Sequence, residues 1–289
     1  MKELKISNGV VRRAQKVVLY GPEGIGKSTL ASAFPDPLFI DTEGGTSHLN
    51  VKRVTIDGTF GDLIETIQAV AAQDVCRSLV LDTMDWAEQI CVADLLKKYR
   101  QTSIESFGYG KGYTYLAEEV QQILRAFDSV IASGKNAVIV AHAKMRKQEL
   151  PDEAGAFDRW ELKLSRQAAP LVKEWADMLL FLNYKTMVIH TEDGSNKAQG
   201  GKRVIYTSHH PCWDAKNRCG LADELPLCFD SIARIFESLP ELMAKSGITE
   251  EQIRSVVSEK VLPHDAPLSS CEDIIVRNWD RIASKVNKE

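Results

Sequence analysis

The chain has 289 residues, of which 44% are hydrophobic and 26% charged, with a formal net charge of −4. These are the proportions of an ordinary soluble globular protein, built as one large domain or as one domain with a small appendage. They exclude a global basic footprint for nucleic acid, so any such contact must come from local loops. No apolar run is long enough to span a bilayer, and Met1-Lys2-Glu3-Leu4-Lys5 lacks the apolar core of a signal peptide. Six cysteines without paired spacing read as reduced thiols. No C-x-x-C or H-x-x-x-H spacing joins His209, His210, Cys212, Cys219 and Cys228 into a zinc site. The expectation is a cytoplasmic protein with no membrane partner.

In chain order, strand and helix signals alternate. Residues 17–20 form an apolar, β-branched strand. It runs into Gly21-Pro22-Glu23-Gly24-Ile25-Gly26-Lys27-Ser28-Thr29, a complete phosphate-binding loop of the form G-x-x-x-x-G-K-S, with a helix expected over about 27–33. Side chains at Gly21, Gly24 and Gly26 would block a close wrap of backbone round an anion or forbid its dihedrals. The wrapped N–H groups and the positive end of the helix then face the phosphates. Lys27 is expected to reach the β- and γ-phosphates and the Ser28 hydroxyl to ligate Mg²⁺. The plainer alternative, a glycine-rich turn that binds nothing, fits poorly between a strand and a helix.

Pro35 and Pro37 bracket a turn, and residues 38–40 form a second strand that ends at Asp41. Phe60–Ala72 has helical spacing, and Ser78–Asp82 is a third strand closed by an acid. Residues 115–132 predict a long amphipathic helix with Leu116, Val120, Ile123, Leu124, Phe127 and Ile131 on one face, ended by Gly134. A strand at 137–141, a helix at 171–175 and a strand at 178–182 follow. Residues 186–190 and 203–208 flank a polar, Gly-rich stretch and read as a β-hairpin with a long tip. This alternation predicts an α/β fold, a mostly parallel sheet with helices on both faces. Composition changes near Pro240, which divides a core over 1–239 from a helical module over 240–289 with Thr249 and Gln252 as a capping box. The alternative is that these last helices simply pack on the core.

Strand ends are where α/β sheets carry their chemistry. Asp82 is expected to bind Mg²⁺ through water, with Thr83 beside it; the alternative is a turn former. Glu43, just beyond the tip of the second strand, is placed to orient or deprotonate the water that attacks a γ-phosphate. The alternative there is a solvated loop acid.

At this point a family pattern emerges. Leu38-Phe39-Ile40-Asp41-Thr42-Glu43-Gly44-Gly45 resembles the segment of the RecA family that carries the catalytic glutamate, and Ser78–Asp82 with Thr83 resembles its Mg²⁺-binding strand. Val138-Ile139-Val140-Ala141-His142 is similar to the strand ending in the γ-phosphate sensor, with His142 where RecA has Gln. Lys216-Asn217-Arg218 resembles the Lys-Asn-Lys whose two cations reach the ATP of the neighbouring subunit. The order agrees over about residues 14–235, and the pattern is most similar to small RecA-like phage recombinases and single-strand annealing proteins, a group also described as phage nucleotide-binding or AAA-type ATPases. The resemblance implies a RecA-like P-loop core, ATP and Mg²⁺ as ligands, and slow, DNA-stimulated ATP hydrolysis. It also implies single-stranded DNA and a single-strand-binding protein as partners, a homo-oligomer (ring or filament), and the cytoplasm of a phage-infected bacterium. The choice of ATP rests on this resemblance. The short segment before the phosphate loop leaves out the N-terminal helix by which RecA polymerises, and residues 240–289 do not look like the RecA C-terminal module; both depart from the filament pattern.

The same resemblance places two contacts to single-stranded DNA. The first lies between the Asp82 strand and the long helix and contains Lys97, Lys98, Arg100, Tyr109 and Lys111. Glycines interleaved with Lys and Tyr suit a mobile loop that meets phosphates and stacks on bases. The second follows His142 and contains Lys144, Arg146, Lys147, Phe157, Arg159, Trp160, Lys163 and Arg166, in what reads as a long irregular connection. The acids Glu149, Asp152, Glu153, Asp158 and Glu161 nearly cancel its charge, and its alternative is a solvated loop with Phe157 and Trp160 tucked into the core. Bound ATP is expected to hold His142, and His142 to set the 143–166 loop, so that hydrolysis releases DNA. Lys216 and Arg218 are expected to complete a neighbour's site in trans. Two other readings compete. One is a nucleotide-dependent protein-binding switch without DNA. The other is a RecA-like helicase or helicase loader, against which the short chain without a separate helicase domain weighs.

Overall fold

The computed structural model describes residues 13–149, 155–190, 196–258 and 261–287. Its centre is a sheet of β1 (Lys16–Gly21), β2 (Pro37–Asp41), β3 (Lys52–Val54), β4 (Ser78–Asp82), β5 (Asn136–Glu149), β6 (Ala156–Leu162), β7 (Met178–His190), β8 (Asn196–Tyr206) and β9 (Glu224–Pro226). The order across the sheet is β3-β2-β4-β5-β1-β7-β8-β9, with β6 paired to β5 alone. The pairings from β3 to β7 are parallel, and β7–β8, β8–β9 and β5–β6 are antiparallel. This is a mostly parallel α/β core with the phosphate loop following β1, as the alternation of elements leads one to expect.

The central strands read as unbroken apolar runs because both their faces are covered. Val17, Val18, Leu19 and Tyr20 of β1, and Leu79, Val80 and Leu81 of β4, have no exposed surface. Val18, Tyr20, Leu79, Leu81 and Ile139 share one face with side chains of α2 (Phe60–Ala72), α3 (Met84–Tyr99), α4 (Lys111–Ala132) and α5 (Ala168–Trp175). The α4 stripe expected from the sequence is the buried one, and each such side chain contributes roughly 1.5–3 kcal/mol by leaving water.

Three local expectations change. The helix after the phosphate loop, α1 (Lys27–Ala31), is shorter than the periodicity suggested. β3 is an additional edge strand whose Lys52 and Arg53 are exposed, so it carries no apolar run. The expected irregular connection after His142 is an antiparallel hairpin, with β5 and β6 in register from Ala143↔Leu162 to Glu149↔Ala156. Its strand signal is masked because Lys144, Arg146, Lys147 and Gln148 supply no apolar alternation. Asp152 and Glu153 lie outside the described residues. The expected hairpin over 186–190 and 203–208 is formed by β7 and β8, but pairing extends to His190↔Asn196, so part of the expected long tip is paired strand.

Contacts divide the chain into a unit spanning Ala14–Ala233 and a second that includes Arg234–Glu289. The second unit contains α6 (Leu239–Ser246), α7 (Glu250–Val256), α8 (Glu272–Arg277) and α9 (Trp279–Val286). It has its own core, with Leu242, Ile253, Ile275 and Trp279 among the buried residues. Capping boxes at Ser238/Glu241 and Thr249/Gln252 start α6 and α7. Among the described residues no helix is long and apolar enough to cross a membrane.

Candidate active site

The phosphate loop links β1 to α1. Gly24 and Gly26 have φ of 71° and 108°, the left-handed region that glycine adopts freely. Gly21 serves a different purpose from the one read off the motif: a Cβ there would meet the Leu182 carbonyl oxygen at 2.2 Å, so glycine lets β7 lie close to β1. Lys27 is buried, and its ammonium donates to the carbonyls of Gly21 and Pro22 at 3.1 and 2.9 Å. Burial lowers its pKa, opposed by the nearby carboxylates of Asp82, Asp85, Glu43 and Glu23. Because α1 is so short, the loop N–H groups and Lys27 carry more of the anion-binding capacity than a helix dipole does.

Strand order sets the rest. β5 lies between β1 and β4, which brings together Lys27 from the loop after β1, His142 of β5 beside Gly21, and Asp82 at the end of β4. They line an open cleft of about 290 Å³ together with Gly24, Gly26, Ser28, Thr29, Asp41, Glu43, Gly45, His48 and Thr83. Asp82 is only 4% exposed. Burial raises its pKa; the Ser28 hydroxyl lowers it, Asp41 and Glu43 raise it, and Lys27 lowers it. Asp82 Oδ2 and Thr83 Oγ1 are buried without a hydrogen-bond partner. Two orphaned hard oxygens beside Ser28, in a cleft with more carboxylates than cations, form a donor set that suits Mg²⁺.

Two residues that the motif reading left without a role hold this geometry. Thr42 Oγ1 accepts the Thr83 N–H at 2.8 Å and donates to the Thr83 carbonyl at 2.9 Å, which ties the tip of β2 to the tip of β4. Asp41 accepts N–H groups from Glu43, Gly44, Gly45 and Thr46, at 2.7–3.3 Å. Burial pushes its carboxyl up, but these bonds outweigh burial and hold it below the usual carboxylate range. Asp41 thus builds the turn that presents Glu43, exposed at the cleft.

His142 is buried, and its Nδ1 lies 2.9 Å from Asp85 Oδ2, while its backbone N–H donates to Asp85 Oδ1 at 3.0 Å. A carboxylate at Nδ1 places the proton there and leaves Nε2 for the cleft. Burial raises the Asp85 pKa, but the hydrogen bonds from His142 bring it below the usual value. One turn along α3, buried Glu88 accepts the Ser165 N–H at 3.0 Å. The Lys163 N–H donates to the His142 carbonyl at 2.8 Å, and the Lys163 ammonium lies 4.0 Å from Glu23 of the phosphate loop. The base of the β5–β6 hairpin is therefore joined to the loop, to the histidine and to α3. Asp85 and Glu88 were legible only as an i, i+3 acidic pair at a helix start, a pattern also common on solvated faces.

The other expected residues scatter. Lys97 and Lys98 lie in the last turn of α3 and Arg100 caps it, so this segment is helical where a loop was expected. Tyr109 and Lys111 are exposed just before and at the start of α4. On the hairpin Lys147 is exposed and Phe157 is half-buried, and Lys163 and Arg166, just past β6, are exposed. Lys144 donates to the Leu164 carbonyl at 2.5 Å, and Arg146 lies 3.3 Å from Glu161. Arg159 and Trp160 are corrections. Arg159 is 8% exposed and ion-paired with Asp214, with a further bond to the Pro211 carbonyl at 2.7 Å, so it is not presented to a polynucleotide. The Trp160 ring packs against Phe181 with centroids 6.1 Å apart, and its backbone N–H donates to the Cys212 carbonyl at 2.8 Å; it belongs to the core side of the hairpin. Lys216 and Arg218 lie at the opposite end of the sheet from this chain's own loop. Lys216 donates to the carbonyls of Lys173 and Glu174, and Arg218 lies 3.1 Å from Asp177.

A family model described as an AAA domain matches residues 13–219. No curated protein matches the chain. Among solved structures, a KaiC-like protein from the hyperthermophilic archaeon Pyrococcus horikoshii OT3 aligns with a TM-score of 0.41 and 12% identity, over 74% of this chain and 85% of that one.

Proposed function

The chain belongs to the AAA-domain family, and on that premise we propose that it is an Mg²⁺-dependent ATPase whose nucleotide state controls a surface for single-stranded DNA. The observation that carries the reading is the continuous path from cleft to hairpin: His142 on Asp85, Glu88 on Ser165, and Lys163 on the His142 carbonyl. Lys27 holds the phosphate chain. Glu43, presented by the Asp41 turn, orients the attacking water and takes its proton. Ser28 and Asp82 would hold Mg²⁺, which would neutralise phosphate charge when bound. His142 reads the terminal phosphate through Nε2, and its engagement sets the position of the hairpin base. Exposed Lys97, Lys98, Lys111, Lys147 and Arg166, with exposed Tyr109, supply cations and an aromatic face for a single strand. This is the chemistry of a recombinase or annealing protein of phage type, acting as a homo-oligomer.

The test is ATP turnover with and without single-stranded DNA, alongside DNA affinity by fluorescence anisotropy. Wild type is expected to hydrolyse slowly and faster with DNA, Lys27→Ala to lose turnover, and Asp85→Asn to retain ATP binding while losing the DNA response. Turnover indifferent to DNA, with no DNA binding in any nucleotide state, would sink the DNA half of the proposal. The internal pairing of Arg159 and Arg146 favours what remains, a switch that binds a protein.

A further inference from the structure

We propose that Arg203 is a nucleotide-binding residue of the phosphate loop, acting in cis on the α- and β-phosphates. Nothing in the loop motif points to it. Arg203 lies on β8, opposite Tyr184 of β7, and 178 residues separate it from the loop residue it touches. Its Nη1 donates weakly to the Ile25 carbonyl, at 3.4 Å, and sits 3.2 Å from where a Cβ on Gly26 would be. Among the described residues the guanidinium has that one acceptor and no carboxylate. Lys185, on the facing strand, is differently placed, paired with Glu224 at 2.7 Å.

Position on the loop decides which phosphates it serves. Asp82, Thr83, His142 and Glu43 gather at the cleft, the γ-phosphate end of the site. Arg203 does not line that cleft; it approaches Ile25 and Gly26 from the β8 side. A phosphate chain held at the cleft and passing Gly26 brings its α- and β-groups toward a guanidinium with most of its donors unused. A fork of N–H donors matches a phosphate as a bidentate pair, and such charge-assisted bonds are among the stronger ones. The backbone holds the residue there, because Leu227 donates its N–H to the Arg203 carbonyl at 3.1 Å and its side chain also reaches Gly26.

The proposal rests on the nucleotide-binding reading above, and the experiment separates the two. Binding of fluorescent ADP and ATP is measured for wild type, Lys27→Ala, Arg203→Gln and Arg203→Lys, together with the melting temperature of each without nucleotide. Arg203→Gln is expected to weaken ADP and ATP alike by about 10- to 100-fold, with Arg203→Lys in between. An equimolar mixture of Arg203→Gln and Lys27→Ala is expected to show no recovery of tight binding, since both groups must come from one chain. Equal ADP and ATP affinity in wild type and Arg203→Gln would overturn the proposal, whether or not the melting temperature falls. Recovery of tight binding in the mixture would overturn the cis assignment. Failure of wild type itself to bind either nucleotide would instead overturn the P-loop reading.

Discussion

At the scale of single residues, the site depends on close approaches that the motif does not explain. Gly21 is the clearest case. The motif calls for glycine, but the structural demand comes from the Leu182 carbonyl, 2.2 Å from any added Cβ. Gly21→Ala must therefore push β1 from β7 at backbone level, where no side chain can give way. We expect a loss of about 2–4 kcal/mol in urea-unfolding stability, larger than overpacking among flexible side chains produces. A variant as stable as wild type would show that the two strands can separate freely. Asp41, Thr42 and Asp85 show the converse: each fixes a functional neighbour while standing outside the usual motif positions.

At the scale of elements, α3 is the instructive one. It spans Met84–Tyr99, yet its apolar period is hidden because polar Asp85 and Glu88 occupy its buried face. Those two acids are hydrogen-bonded by His142 and Ser165, contacts that no periodicity reveals. The neighbouring helix α4 holds a third buried acid. Glu119 of α4 has Oε2 buried without a partner, and burial followed by the Asp94 charge raises its pKa to about 7. The folded protein thus holds a proton that the unfolded chain releases at the ordinary glutamate value near 4.5. The stability this provides is fully present below about pH 4.5 and is lost as pH rises to about 7. Glu119→Gln keeps the neutral form throughout. It is expected to be near neutral at pH 4.5 and stabilising by about 1–3 kcal/mol at pH 8 in urea titrations. An effect of equal size at both pH values would show that Glu119 does not titrate in this way.

At the scale of the whole molecule, the apolar cluster within Arg234–Glu289 implies a unit that unfolds on its own terms. Ile253 is fully buried in the cluster of Arg234–Glu289, and Ile253→Ala removes packing worth about 2–5 kcal/mol there. Hydrogen exchange is expected to lose protection across α6–α9 while β1, β4 and β5 keep theirs, and ATP binding is expected to persist. Uniform loss of protection across both units would show one cooperative block.

The sequence by itself determined what is local: the phosphate loop, the acids at strand ends, the α4 stripe and the capping boxes. Each needs only a few consecutive residues, because backbone dihedrals and helical or strand period act over that range. Tertiary structure decided what those parts touch. The β4-β5-β1 order brought His142 between Lys27 and Asp82. Asp85 meets His142 across 57 residues, Glu88 meets Ser165 across 77, and Arg203 meets Ile25 across 178. The same long-range packing buried Arg159 against Asp214, 55 residues away, and removed it from the surface its charge had suggested. Such pairings are set by which strands lie side by side, and a cation that will be buried reads the same in the sequence as one that faces water.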